Sequence, residues 1–172
     1  SAGASAYSTW TGILGAGFNA ASTKSSQVNP KVFVFNPVDG SVSYTGTLAS
    51  LASPSPWVGN QTFCDSVIYQ MSAKAYYPDN LVNLGLQPDL NGQIWFIPGS
   101  GFASATVGIN ATAKAGQQQP VYYPPAVSAY KAYDIYAFGS GTFYETVFAS
   151  DTQVGTANHF SPSLSIVAKD QS

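Results

Sequence analysis

Apolar residues fall on alternate positions along much of this chain, and no long stretch keeps the three-to-four spacing of a helix. Alternation sends successive side chains to opposite faces of an extended backbone, so it selects strands with one buried face. Lys31-Val32-Phe33-Val34-Phe35 is the clearest case, built from β-branched and aromatic residues that pack well on a pleated surface. Asn36-Pro37-Val38-Asp39-Gly40 predicts a reversal, with Gly40 free to take a positive φ. Ser41 to Thr45 then predicts the returning strand.

Further strands are predicted at Thr62–Tyr77, Gln93–Ile97, Ala103–Ala113, Val127–Phe138, Thr142–Ser150 and Leu164–Ala168. Asn91-Gly92 opens the second of these and Pro98-Gly99-Ser100-Gly101 closes it. Gly139-Ser140-Gly141 predicts a hairpin between 127–138 and 142–150. Leu81–Leu86 fits a helical turn and a strand equally. Residues 115–126, with Pro120 and Pro124-Pro125, predict an exposed loop. Eight or nine strands at this spacing predict an all-β fold, an antiparallel β-sandwich of Ig-like or jelly-roll-like type, with a closed barrel as the alternative.

The N-terminal segment stands apart. Trp10, Gly12, Leu14, Ala16, Phe18 and Ala20 share one side of an extended chain, and Thr11, Ile13, Gly15 and Gly17 share the other. Its glycines disfavour a helix. The polar stretch Ser22–Gln27 separates it from the first confident strand. Two readings follow: a first strand of the same sandwich, or a detachable strand that completes a neighbour's sheet. The second divides the chain into residues 1–27, a donor strand with its tether, and residues 28–172, the sandwich. It makes Trp10, Leu14 and Phe18 the subunit contacts, since large side chains four residues apart on a strand lie roughly 13 Å apart.

Only 8% of residues are charged, against about 25% in an average soluble domain. There are six Lys, no Arg, and a net charge of −2. Hydroxyls and amides must hydrate the surface, which then depends little on pH or salt. We expect an extracellular or cell-surface protein, and the small, uncharged Ser1–Ala6 run suits a freshly cleaved N-terminus. Without Arg or clustered Lys, nucleic acid is not an expected partner. No apolar run approaches the roughly 18 residues of a membrane helix, so membrane insertion is not expected either.

Candidate chemistry is sparse. His159 is the sole histidine and has no Gly-x-Ser-x-Gly elbow to serve, so no enzyme is expected. Cys64 is the sole cysteine and fits a small apolar strand position. Asp151, Asn158 and the loop between them offer oxygen donors of the kind calcium takes, too few to assign a metal site, and no cofactor is implied. Asn60-Gln61-Thr62 and Asn110-Ala111-Thr112 are N-glycosylation acceptors at Asn60 and Asn110.

Three resemblances attach to these residues. Phe143-Tyr144-Glu145-Thr146-Val147, with a glutamate mid-strand and Lys31 or Lys131 as partner, is similar to pilin domains in which a buried acid promotes a Lys–Asn isopeptide bond. The Asp151–Asn158 loop and the last strand resemble the tail of small calcium-dependent galactose-binding bacterial lectins over about twenty residues. The alternating N-terminal segment followed by a sandwich resembles pilus and archaeal thread subunits assembled by donor-strand complementation. That third resemblance implies a structural subunit of a surface filament, a homopolymer whose partners are copies of itself. The alternative is a secreted carbohydrate-binding module, with Trp and Tyr rings stacking on surface glycans.

Overall fold

A computed structural model describes residues 10–17, 31–48, 62, 67–69, 84–99, 102–111, 120–140 and 163–170. Among these the chain is all-β. Its strands are β1 (Gly12–Gly15), β2 (Lys31–Phe35), β3 (Val42–Thr47), β4 (Val67–Tyr69), β5 (Leu84–Pro88), β6 (Gln93–Pro98), β7 (Thr106–Asn110), β8 (Ala126–Tyr130), β9 (Tyr133–Ser140) and β10 (Ser163–Asp170). They form three antiparallel sheets in the orders β1-β2-β3, β4-β5-β6-β7 and β10-β9-β8. The pattern gives eight or nine strands, and the described residues hold ten. The ambiguous Leu81–Leu86 stretch overlaps β5, a strand.

Two apolar clusters join the sheets. Leu84, Leu86 and Ile94 of the four-stranded sheet pack with Tyr136 and Phe138 of β9. Trp95 and Ile97, which point the other way along β6, pack with Ile13, Val32, Val34 and Leu48. The four-stranded sheet is therefore covered on both faces, and every residue of β5 is buried. At about 25 cal/mol per Å² of apolar surface removed from water, such a doubly covered strand is where burial stabilises most per residue.

Covering both faces also buries the hairpin between β5 and β6. Asp89 N–H donates to Gln93 O at 2.9 Å and Gly92 N–H to Asp89 O at 3.2 Å, closing a three-residue loop with Gly92 at φ 80°. The Asp89 carboxylate accepts from Asn91 N–H and Gln93 N–H through Oδ1, both at 2.9 Å, and from the Trp95 indole N–H through Oδ2 at 2.8 Å. Asp89, Asn91 and Gln93 have no solvent exposure. Buried polar groups need such partners, because an unmet donor costs about 1–3 kcal/mol.

Two expectations are corrected here. Residues 115–126 are not exposed throughout. Val121 is fully buried, and its N–H donates to Asp89 O at 3.1 Å, which lays the chain at Val121 over the buried turn. Proline removes a ladder donor but does not prevent packing, and composition does not separate the two. The stretch 127–138 contains a reversal of its own, and the strand expected at 142–150, with its hairpin from Gly139-Ser140-Gly141, lies outside the described residues. The stretch read as one strand over 127–138 divides at Lys131-Ala132, where Tyr130 faces Tyr133, and Gly139 and Ser140 continue β9 opposite Leu164 and Ser163. Lys131 takes a left-handed φ of 56° that usually falls to Gly or Asn, so the turn carries no residue signature. Its ammonium lies 5.2 Å from the Tyr130 ring centroid, a cation–π contact.

Candidate functional site

The N-terminal strand is docked at three points. The first is its ladder with β2, Gly12 opposite Phe35 through Gly15 opposite Val32, extended by Ala16 N–H donating to Lys31 O at 3.0 Å. β1 ends its sheet, so among the described strands nothing pairs with its other edge.

The second point is Ile13. It is 7% exposed and enters the cluster formed by Val32, Val34, Trp95 and Ile97. Its Cδ1 fills the place where Gly85 would carry a Cβ. Gly85 sits between Leu84 and Leu86, whose side chains turn to the opposite cluster, so its missing side chain opens a pit on the face toward β1. An isoleucine knob and a glycine pit fix the register of β1, because a one-residue slip would present Gly12 or Leu14 instead.

The third point is Thr62, 1% exposed, whose Oγ1 accepts from Gly17 N–H at 2.9 Å. It anchors the chain as it leaves β1. Every contact in this site is apolar or a neutral hydrogen bond, and Lys31 at the start of β2 is the nearest charged side chain in the ladder. The arrangement can bind an extended peptide and hold its register; it assembles no nucleophile, base or oxyanion donor set among the described residues.

The residues singled out from sequence are placed as follows. Trp10 and Leu14 are 70% and 45% exposed and lie on the outward side of β1, away from the cluster that receives Ile13. Phe18 lies outside the described residues, as do Asn60, Cys64, Glu145, Asp151, Asn158 and His159. Asn110 ends β7, half-buried, opposite Gln93. Ile13, Gly85 and Thr62 were not singled out. Alternation puts Ile13 on the face opposite Leu14 but does not say which face turns inward when both carry apolar residues. A glycine flanked by leucines was the available signal for Gly85.

Comparison with protein families, with characterised proteins and with solved structures finds no match. No helix among the described residues is long and apolar enough to cross a membrane.

Proposed function

We propose that this protein is an extracellular structural subunit of a surface filament, assembled by strand complementation, with β1 of one copy docked on β2 of the next. The observation that carries the reading is the connection between β1 and β2. A two- to five-residue hairpin is enough to join adjacent antiparallel strands. Here residues 16–30, about fifteen, join them. Fifteen residues of chain can reach at most roughly 50 Å, long enough for the strand to be delivered to another copy. The docking site is indifferent to whose β1 fills it: Ile13, the Gly85 pit and the Thr62 hydroxyl make the same contacts within a chain or between chains, which is the basis of domain swapping.

On this reading the β4–β7 and β8–β10 sheets are the two leaves of an Ig-like or jelly-roll-like sandwich, and β1–β3 is the layer that exchange completes. Emptying the site exposes the β2 edge and the apolar Gly85 pit, and such an edge drives association until it is refilled. Low surface charge suits a polymer whose copies must lie close without repulsion.

A second reading rests on Tyr130 and Tyr133, exposed neighbours on one face of the β8–β9 hairpin, a pair of rings on which a sugar can stack. One experiment separates the two. Electron microscopy and light scattering of the full chain should show fibres, and deletion of residues 1–22 should leave a monomer that binds a synthetic 7–20 peptide with one-to-one stoichiometry. A full-length chain that stays a discrete monomer at high concentration overturns the filament reading, and glycan binding by that monomer supports the sugar-binding one.

A further inference from the structure

The turn between β5 and β6 holds the chain's single Asn-Gly pair, Asn91-Gly92. Asparagine is a thermolabile residue, and most so before glycine. The glycine backbone nitrogen attacks the asparagine side-chain Cγ, a C–N bond closes a five-membered succinimide, and ammonia leaves. Water then opens the ring at one of its two carbonyls, giving aspartate or isoaspartate. Glycine speeds the first step because it has no Cβ to crowd its nitrogen. Every other asparagine of the chain precedes Ala, Pro, Gln, Leu or His.

The fold withholds what this reaction needs. Asn91 has no solvent exposure and Gly92 is buried beside it, so the ring-opening water has no access to the closed turn. The Gly92 nitrogen is engaged, its N–H donating to Asp89 O at 3.2 Å, and Gly92 O accepts from Ala111 N–H at 2.8 Å. Asn91 N–H is held in turn by Asp89 Oδ1 at 2.9 Å. Closing the succinimide would break this arrangement, because the Gly92 nitrogen would have to leave Asp89 O. The products fit the turn no better. Aspartate at position 91 sets a second carboxylate two residues from Asp89 in a dry site, where like charges cannot both stay ionised without cost. Isoaspartate lengthens the main chain by one methylene inside a three-residue loop that Asp89 N–H closes on Gln93 O at 2.9 Å.

We propose that Asn91-Gly92 is a spontaneous modification site that the closed β5–β6 turn suppresses and an opened turn releases, and that conversion keeps the turn from closing again. Deamidation at this residue is then a one-way mark of molecules whose four-stranded sheet has opened. It needs no reactant but water, and it does not depend on strand exchange.

Peptide mass spectrometry on the full chain tests this. Folded protein and protein unfolded in guanidinium chloride are held at one temperature and one mildly alkaline pH. The unfolded chain should deamidate at Asn91 before any other asparagine, and the folded chain at least ~100-fold more slowly, since buried elements are seldom open. Gly92→Ala, followed in denaturant so that its folding does not matter, should slow the conversion severalfold. Asn91→Asp, made directly, should show weaker hydrogen-exchange protection at the Gln93 and Ala111 amides, both bonded across the turn in the parent. Equal rates in folded and unfolded protein overturn the suppression by the fold. An unchanged rate in Gly92→Ala overturns the route through the Gly92 nitrogen, and parental protection in Asn91→Asp together with parental refolding of the converted chain overturns the one-way step.

Discussion

The chain makes two hairpins with the same local chemistry in opposite surroundings. Between β2 and β3, Asn36 Oδ1 accepts from Val38 N–H and Asp39 Oδ1 accepts from Ser41 N–H, at 2.9 and 2.8 Å, and Gly40 takes a φ of 74°. Between β5 and β6, Asp89 accepts from Asn91 and Gln93 and Gly92 takes a φ of 80°. The first turn lies in solvent and the second is sealed between two sheets. Water can replace a lost partner at Asp39. Nothing replaces one at Asp89, so equal geometry carries unequal energy.

The largest effect should come from Asp89→Ala. It strands two backbone N–H groups and the Trp95 indole N–H in a dry site, at about 1–3 kcal/mol each. We expect a loss of at least ~3 kcal/mol in urea unfolding, a large share of a domain's ordinary ~5–15 kcal/mol. A loss below ~1 kcal/mol would mean that burial is not what separates the two turns.

Glycine substitutions extend the contrast with a smaller effect. Gly85→Val drives a side chain into the space held by Ile13 and should cost about 1–3 kcal/mol through overpacking, or expel β1. Ile13→Ala in the same chain should recover part of the loss, since the two sites share one space. In Gly40→Asn the new side chain meets nothing, and asparagine tolerates a left-handed φ, so the change should stay within about 1 kcal/mol. Thermal melts of the three variants check the order, and additive losses for the Gly85 and Ile13 pair would sink the knob-and-pit account.

The smallest effect belongs to Asp39. The Ser41 hydroxyl and then the Ser41 N–H hold its carboxyl below the ordinary aspartate range. A depressed folded value stabilises above the unfolded value, and that stabilisation is lost as pH falls through the folded one. Asp39→Asn should therefore be slightly less stable than the parent at about pH 7, and the gap should close in paired melts at about pH 2.5. A gap that widens in acid would reverse the sign and refute this.

The same contrast explains what was legible beforehand. At β2 and β3, one face is buried and the other wet, so alternation and the Asp-Gly turn announced both strands and their reversal. At β5 both faces are buried, Leu84 and Leu86 on one side and Gly85 and Gln87 on the other, and alternation has no polar face to mark. At Lys131-Ala132 the turn uses residues with no turn preference, and pairing with β10 decided where β9 runs.

Composition and periodicity by themselves determined that this is an all-β protein with a strand within residues 10–17, because side-chain alternation is a local property of an extended backbone. Only the tertiary structure decided which face of that segment turns inward. Both faces of residues 10–17 carry apolar side chains, and the choice of Ile13 over Trp10 and Leu14 depends on a pit at Gly85, some seventy residues away in sequence, which no local pattern records.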